Sequence, residues 1–142
     1  MKIIESIRTY IKSCPYLREY EGALNVDFLG KNATSYSIEE VPVEPIIKRY
    51  VDGSSVRQCT FIFCSRELLD MNVRTQLSNS GFYEDFANWL EEESVKGNLP
   101  ILAANKESRK IEAITSGYVM GEDATTAQYQ IQCRLTYFQR RI

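Results

Sequence analysis

The chain has 142 residues, 44% of them hydrophobic and 25% charged, with a net charge of −2 at pH 7. That fits one soluble domain with its own core and argues against a generally basic nucleic-acid binder. It has no histidine, which removes the Ser-His-Asp and Cys-His arrangements and the commonest metal ligand.

The first element is an amphipathic helix. Ile3, Ile4, Ile7, Ile11 and Cys14 share one face, and Lys2, Glu5, Arg8 and Lys12 point elsewhere. Those charges interrupt any signal-peptide core, and no apolar run approaches the length needed to span a bilayer. Pro15 ends the helix near Cys14. The helix reads as laid on a sheet, with a partner-binding helix as the alternative.

Leu24, Val26 and Phe28 alternate, as do Tyr36 and Ile38. The two runs predict a hairpin with a longer loop across Gly30 and Asn32. Pro42 and Pro45 bracket a short kink into the next strand. Ile46–Val51 and Val56–Ser65 then flank Asp52-Gly53-Ser54-Ser55, where Asp-Gly supplies the positive-φ positions of a tight hairpin. On the second arm Cys59, Phe61 and Phe63 face one way and Thr60, Ile62 and Cys64 the other. Both faces are largely apolar, which predicts a central strand covered on both sides.

Residues 66–78 predict a loop with a short helix. A second long helix follows over Ser80–Lys96, capped by Asn79 or Ser80, with Glu84 and Asp85 in its first turn. Phe82, Phe86, Trp89 and Leu90 form its apolar stripe, and Gly97 takes the left-handed position after it. Lys106–Lys110 reads as a polar connector, Ile111–Met120 as a strand, and Gly121–Ala124 as a turn into the last strand.

That last strand, Ala127–Tyr137, is the cleanest signal in the chain. Ala127, Tyr129, Ile131, Cys133, Leu135 and Tyr137 fall on one parity; Gln128, Gln130, Gln132, Arg134 and Thr136 fall on the other. The polar parity is neutral amide rather than Lys and Glu. It is either a solvated face or one that meets another subunit or lines a channel. The strands and helices together predict an α+β domain. Its sheet is mostly antiparallel, of about five to six strands, with two main helices packed on one face.

Chemistry is sparse. Cys14, Cys59, Cys64 and Cys133 are dispersed without a Cys-x-x-Cys pair, which fits core packing and a reducing compartment better than a disulfide frame or a zinc site. There is no phosphate-cradling Gly-rich loop. Glu84 and Asp85 are adjacent on a helix and project apart, poor geometry for acid–base work. The residues predict a binding domain, not an enzyme, with no cofactor.

Several strings, taken in order, carry a resemblance: CPYL at Cys14, NVDFLG at Asn25, YSIE at Tyr36, YVDGS at Tyr50, NSGFYEDFANWLE at Asn79, NLP at Asn98, IEAITSGY at Ile111 and AQYQIQCRLTY at Ala127. Together they span nearly the whole chain. In them the chain resembles the small minor capsid proteins encoded in the head–tail region of tailed phages and prophages of Gram-positive bacteria. Some members carry an antibiotic-resistance label, but no residue here suggests drug modification. The family in turn looks like tail terminators. The resemblance implies that residues 1–142 form a single tail-terminator-like domain without catalytic residues. Its subunits would form a ring, hexameric in that class, capping the tail tube and receiving the head. Its partners would be itself, the tail tube protein and the head–tail connector, with DNA passing through unbound. It would be located in the virion neck after assembly in the host cytoplasm. A connector-stopper on the head side is the nearest alternative, and a small enzyme the distant one.

Within that expectation, Gln128, Gln130, Gln132 and Arg134 are the candidate subunit or tube contact, because a ring joins two unlike patches. Glu91, Glu92 and Glu93 are candidates to face a lumen and repel DNA phosphates. Lys31 and Asn32, and Asp52, Gly53 and Ser54, are candidate docking-loop residues.

Overall fold

A computed structural model describes residues 2–15, 24–26, 35–68, 73–122 and 126–141. In chain order the elements are α1 (Ile3–Ile11), β1 (Leu24–Val26), β2 (Ser35–Val41), β3 (Ile46–Arg49), β4 (Ser55–Leu68), α2 (Val73–Lys96), β5 (Lys106–Ala113), β6 (Tyr118–Glu122) and β7 (Thr126–Gln139). The fold is α+β. Six strands join through antiparallel pairings, and the short β1 adds to β2 in parallel.

β4 and β7 form the spine. Each has 14 residues, and they pair without a break from Ser55↔Gln139 to Leu68↔Thr126. On each side lies an edge strand broken in the middle. β2 pairs with the second half of β4 and β3 with its start, the break falling at the segment from Pro42 to Pro45. β5 and β6 pair with the two halves of β7, and the break falls at residues 114–117.

The strand alternation then builds one apolar face. Tyr36, Ile38, Phe61, Phe63, Ile111, Ile131, Cys133 and Leu135 are fully buried there. Ile7 and Ile11 from α1, and Phe82, Tyr83, Phe86, Trp89 and Leu90 from α2, complete the same core. The Phe63 ring sits at its centre, with ring centroids 4.6 Å from Phe86, 5.6 Å from Tyr36 and 6.1 Å from Phe82. Tyr10 ties α1 to the end of α2. Its ring lies 5.2 Å from Trp89, and its hydroxyl donates to the Asn98 carbonyl at 2.9 Å. Burial of that phenol, reinforced by nearby Glu93, pushes its pKa well up.

Five local expectations are corrected. β1 runs parallel to β2, so the two are not arms of a hairpin; alternation identifies a strand and its faces, not the direction of its neighbour. β4 continues to Leu68 and α2 begins at Val73, replacing the expected loop, and Asn79 and Ser80 lie inside the helix and do not cap it. Glu84 and Asp85 are therefore mid-helix. Ser, Asn and Gly each cost a helix interior only about 0.5–1 kcal/mol, which the buried stripe from Phe82 to Leu90 overcomes. Lys106–Lys110 is the start of β5; an edge strand exposed on much of its surface carries a polar sequence. The strand expected over Ile111–Met120 is two strands, broken at Ser116-Gly117. Finally, the face of β4 opposite the helices is only partly covered: Thr60 and Cys64 are buried there, Ile62 half-buried.

The turn chemistry is as expected. Gly53 has φ +91° and Gly97 φ +81°. After α2, the Gly97 N–H reaches the Ser94 carbonyl and the Asn98 N–H the Glu93 carbonyl, the paired bonds of a Schellman cap.

Gly117 is required for a different reason. A Cβ there would lie 2.5 Å from Cβ of Tyr83. Tyr83 is held in place, sharing a hydrogen bond with the Ser65 hydroxyl and donating to the Tyr129 carbonyl at 3.1 Å. Gly117→Ala is expected to destabilise by about 1–3 kcal/mol through overpacking, measured by urea unfolding; an unchanged midpoint would mean that the two chains separate freely.

All four cysteines are free thiols. Burial pushes Cys59 up to about 11 and Cys64 up to about 12, and raises Cys133 strongly. The thiolate is the reactive form. Iodoacetamide at pH 8 is therefore expected to spare these three in the folded protein and label them in urea. Labelling at the unfolded rate without urea would contradict their placement.

Candidate functional site

The polar parity of β7 lies on the sheet face away from the helices. Its amides are largely occupied within the subunit. Tyr118 stands directly across from Gln130 in the β6–β7 register. Its hydroxyl accepts from Gln130 Nε2 at 2.7 Å and from Gln132 Nε2 at 3.2 Å. The Cys64 thiol donates to Gln130 Oε1 across β4. Gln130 is only 5% exposed, so it is not available to a partner, and the expectation of an accessible amide row is corrected at this residue. Gln128 and Gln132 are half-buried.

Arg134 is held as well. Its Nη2 lies 3.0 Å from Glu112 Oε1, and Glu112 Oε2 lies 2.9 Å from Lys110 Nζ. Burial pushes the Glu112 carboxyl up, but hydrogen bonds from Lys110 and Arg134 outweigh it and hold the carboxyl below its ordinary value. The result is a bridge of alternating charge between β5 and β7.

The acidic run divides. Glu91 and Glu92 are exposed. Glu93 turns toward the helix end, where it accepts from Asn98 Nδ2 and pairs with Lys96 at 3.7 Å. With its side chain 14% exposed, Glu93 belongs to the helix terminus and not to an open acidic face.

Lys31 and Asn32 lie outside the described residues. In the other candidate loop, the Asp52 carboxylate accepts from the Ser54 N–H at 2.9 Å and from the Ser54 hydroxyl. Those bonds hold the carboxyl below its usual range, the hydroxyl contributing most. Ser54 is buried. Asp52, Gly53 and Ser54 thus build the turn, and the residue they present is Val51.

Val51 is fully exposed, beside exposed Ile47, Tyr50 and Val43. Sequence reasoning passed over these four. The signals were there: two adjacent isoleucines that break alternation, and an apolar residue immediately before Asp-Gly.

On the opposite edge of the sheet, α2 and β5 enclose an open groove of about 480 Å³, lined by Ala87, Glu91, Ser94, Val95, Ile111 and Ala113 among others. The Ser94 hydroxyl donates to the Ile111 carbonyl at 2.6 Å and accepts from the Ile111 N–H at 3.0 Å. It therefore occupies the outward backbone groups of the edge strand at that point.

Among the described residues no group of three or more His, Cys, Asp or Glu is placed to hold a metal ion, and no helix is long and apolar enough to cross a membrane. No protein-family model matches the chain, and a comparison with curated proteins finds no match.

Proposed function

We propose that the chain is a structural protein of phage assembly, a tail terminator whose copies form a ring that caps the tail tube and joins it to the connector. The observation that carries this reading is that the sheet has two unlike edges. One presents the exposed apolar residues Ile47, Tyr50 and Val51, and the other the groove between α2 and β5. Unlike patches on one subunit are what a head-to-tail ring requires. The resemblance of the sequence strings to the minor capsid family supplies the tail context. Six-fold symmetry, the tube and connector as partners, and the virion neck as location rest on that resemblance. In this reading the protein is not an enzyme and needs no cofactor. Glu91 and Glu92 remain the acids that would discourage DNA from adhering to a lumen.

Native mass spectrometry and electron microscopy of the purified chain, alone and with tail tube protein, test the reading. Six-fold rings are the expected result. A strict monomer that ignores tube protein would overturn it.

A further inference from the structure

We infer that the β3–β4 hairpin of one copy seats in the α2–β5 groove of a second copy. This rests on the ring reading above and goes further by naming the two surfaces.

The placement suits a repeating contact. β3 lies along one side of β4, whereas β5 lies beyond β7 on the other. The hairpin and the groove are on opposite edges, so each copy can give its hairpin to one neighbour and its groove to the next. Neither surface can satisfy the other within the same chain.

The hairpin is built to present apolar side chains. Val51 stands clear of the protein, and Ile47 and Tyr50 are 51% and 41% exposed. The turn beneath them is fixed by the Asp52–Ser54 bonds and by Gly53 N–H to the Tyr50 carbonyl at 3.0 Å. Tyr50 is further braced by Phe138, at 6.2 Å between ring centroids, and by Lys48 Nζ, 5.1 Å over its ring. A pre-ordered knob loses little freedom on docking.

The groove accepts side chains and not a strand. Strand addition needs the outward N–H and C=O groups of the edge, and Ser94 already holds those of Ile111. What remains is an apolar floor of Ala87, Ile111 and Ala113 beside Val95, which is 85% exposed.

Charge favours this chain's own hairpin as the occupant. Lys48 and Arg49 are exposed on β3, and Glu91 and Glu92 are exposed on the helix rim. The basic residues that also line the groove are engaged elsewhere: Lys110 with Glu112 at 2.9 Å, and Arg109 over the Phe138 ring at 5.1 Å. The unengaged charge at the groove mouth is therefore acidic, and the hairpin brings basic charge to it.

A charge swap tests the contact. Three full-length variants are compared with the parent by native mass spectrometry and light scattering: Lys48→Glu with Arg49→Glu, Glu91→Lys with Glu92→Lys, and all four changes together. All four sites are exposed, and circular dichroism confirms folding. Each pair alone is expected to raise the concentration for half-assembly by about tenfold or more. Mixing the two paired variants, or combining all four changes in one chain, is expected to restore assembly. Rings that form normally in both paired variants, or that are not restored by mixing, would overturn this contact and leave the ring reading standing. Absence of any ring in the parent, with and without tube protein, would overturn both.

Discussion

Phe63→Ala is expected to cost about 3–5 kcal/mol, the range for truncating a fully buried aromatic ring. Phe63 is at 0% exposure and touches rings from three elements: Tyr36 on β2, and Phe82, Tyr83 and Phe86 on α2. Those ring pairs are the main physical link between the helix stripe and the sheet spine. Domains of this kind are stable by only about 5–15 kcal/mol, so the loss would leave a marginal protein. Urea unfolding followed by Trp89 fluorescence measures it, since Trp89 packs 6.1 Å from Phe86. A cost below about 1 kcal/mol would mean that the ring cluster collapses to fill the space and is not the centre of the core.

Gln130→Glu is the second large effect, expected at about 2–4 kcal/mol at neutral pH. The substitution places a carboxylate in a position 5% exposed, near Glu39 on the adjacent strand β2. It also removes the amide donor to Tyr118. The Tyr118 hydroxyl turning round to donate offsets part of the cost. Burial and the Glu39 charge both favour the neutral acid, so the folded pKa is raised above the unfolded value of about 4.3. The folded variant then binds a proton more readily than the unfolded one. The penalty is greatest above the raised pKa and shrinks as pH falls through it. Urea midpoints of variant and parent should therefore converge between about pH 7.5 and pH 5. Equal stability at neutral pH would contradict the burial of this amide. A corollary concerns assembly assays: Gln130→Glu damages the fold, and Arg134→Glu sets a carboxylate against Glu112. Neither reports cleanly on subunit contact, whereas the exposed hairpin residues do.

What the sequence made legible was what local chemistry decides. Strict alternation from Ala127 to Tyr137 is the pattern of a strand buried on one side, and β7 is that strand. Asp52-Gly53 demanded a tight turn, and Gly97 a left-handed helix end; both glycines have positive φ. The α2 stripe from Phe82 to Leu90 is buried as its spacing requires.

What was illegible depended on partners distant in sequence. Ser78-Asn79-Ser80-Gly81 looks like a break, and only docking of the neighbouring turns keeps it helical. The parallel placement of β1 is a choice of neighbour, which its three residues do not encode. The amide row read as surface because nothing local announces that Tyr118 reaches across to Gln130 and Gln132. The α2–β5 groove exists only because Ser94 meets Ile111 on another element. The docking-loop expectation fell on the residues that form the turn; the residue that the turn displays, Val51, was one position away.

The unbroken pairing of β4 with β7 has a consequence for synthesis. Leu68 must wait for Thr126, and Ser55 for Gln139, before either finds its partner. The helix and the outer strands β5 and β6 are made in between. At about 5–20 residues per second of translation, β4 spends several seconds with one edge open and Phe61 and Phe63 without the strand that completes their floor. Contacts this distant in sequence also make folding slow, because the intervening chain must be closed before the pairing gains anything. The nascent chain is therefore most vulnerable to edge-to-edge association before its last strand emerges. Registration of that strand, zipping along all of β4, is the event that turns an aggregation-prone intermediate into an assembly-competent subunit.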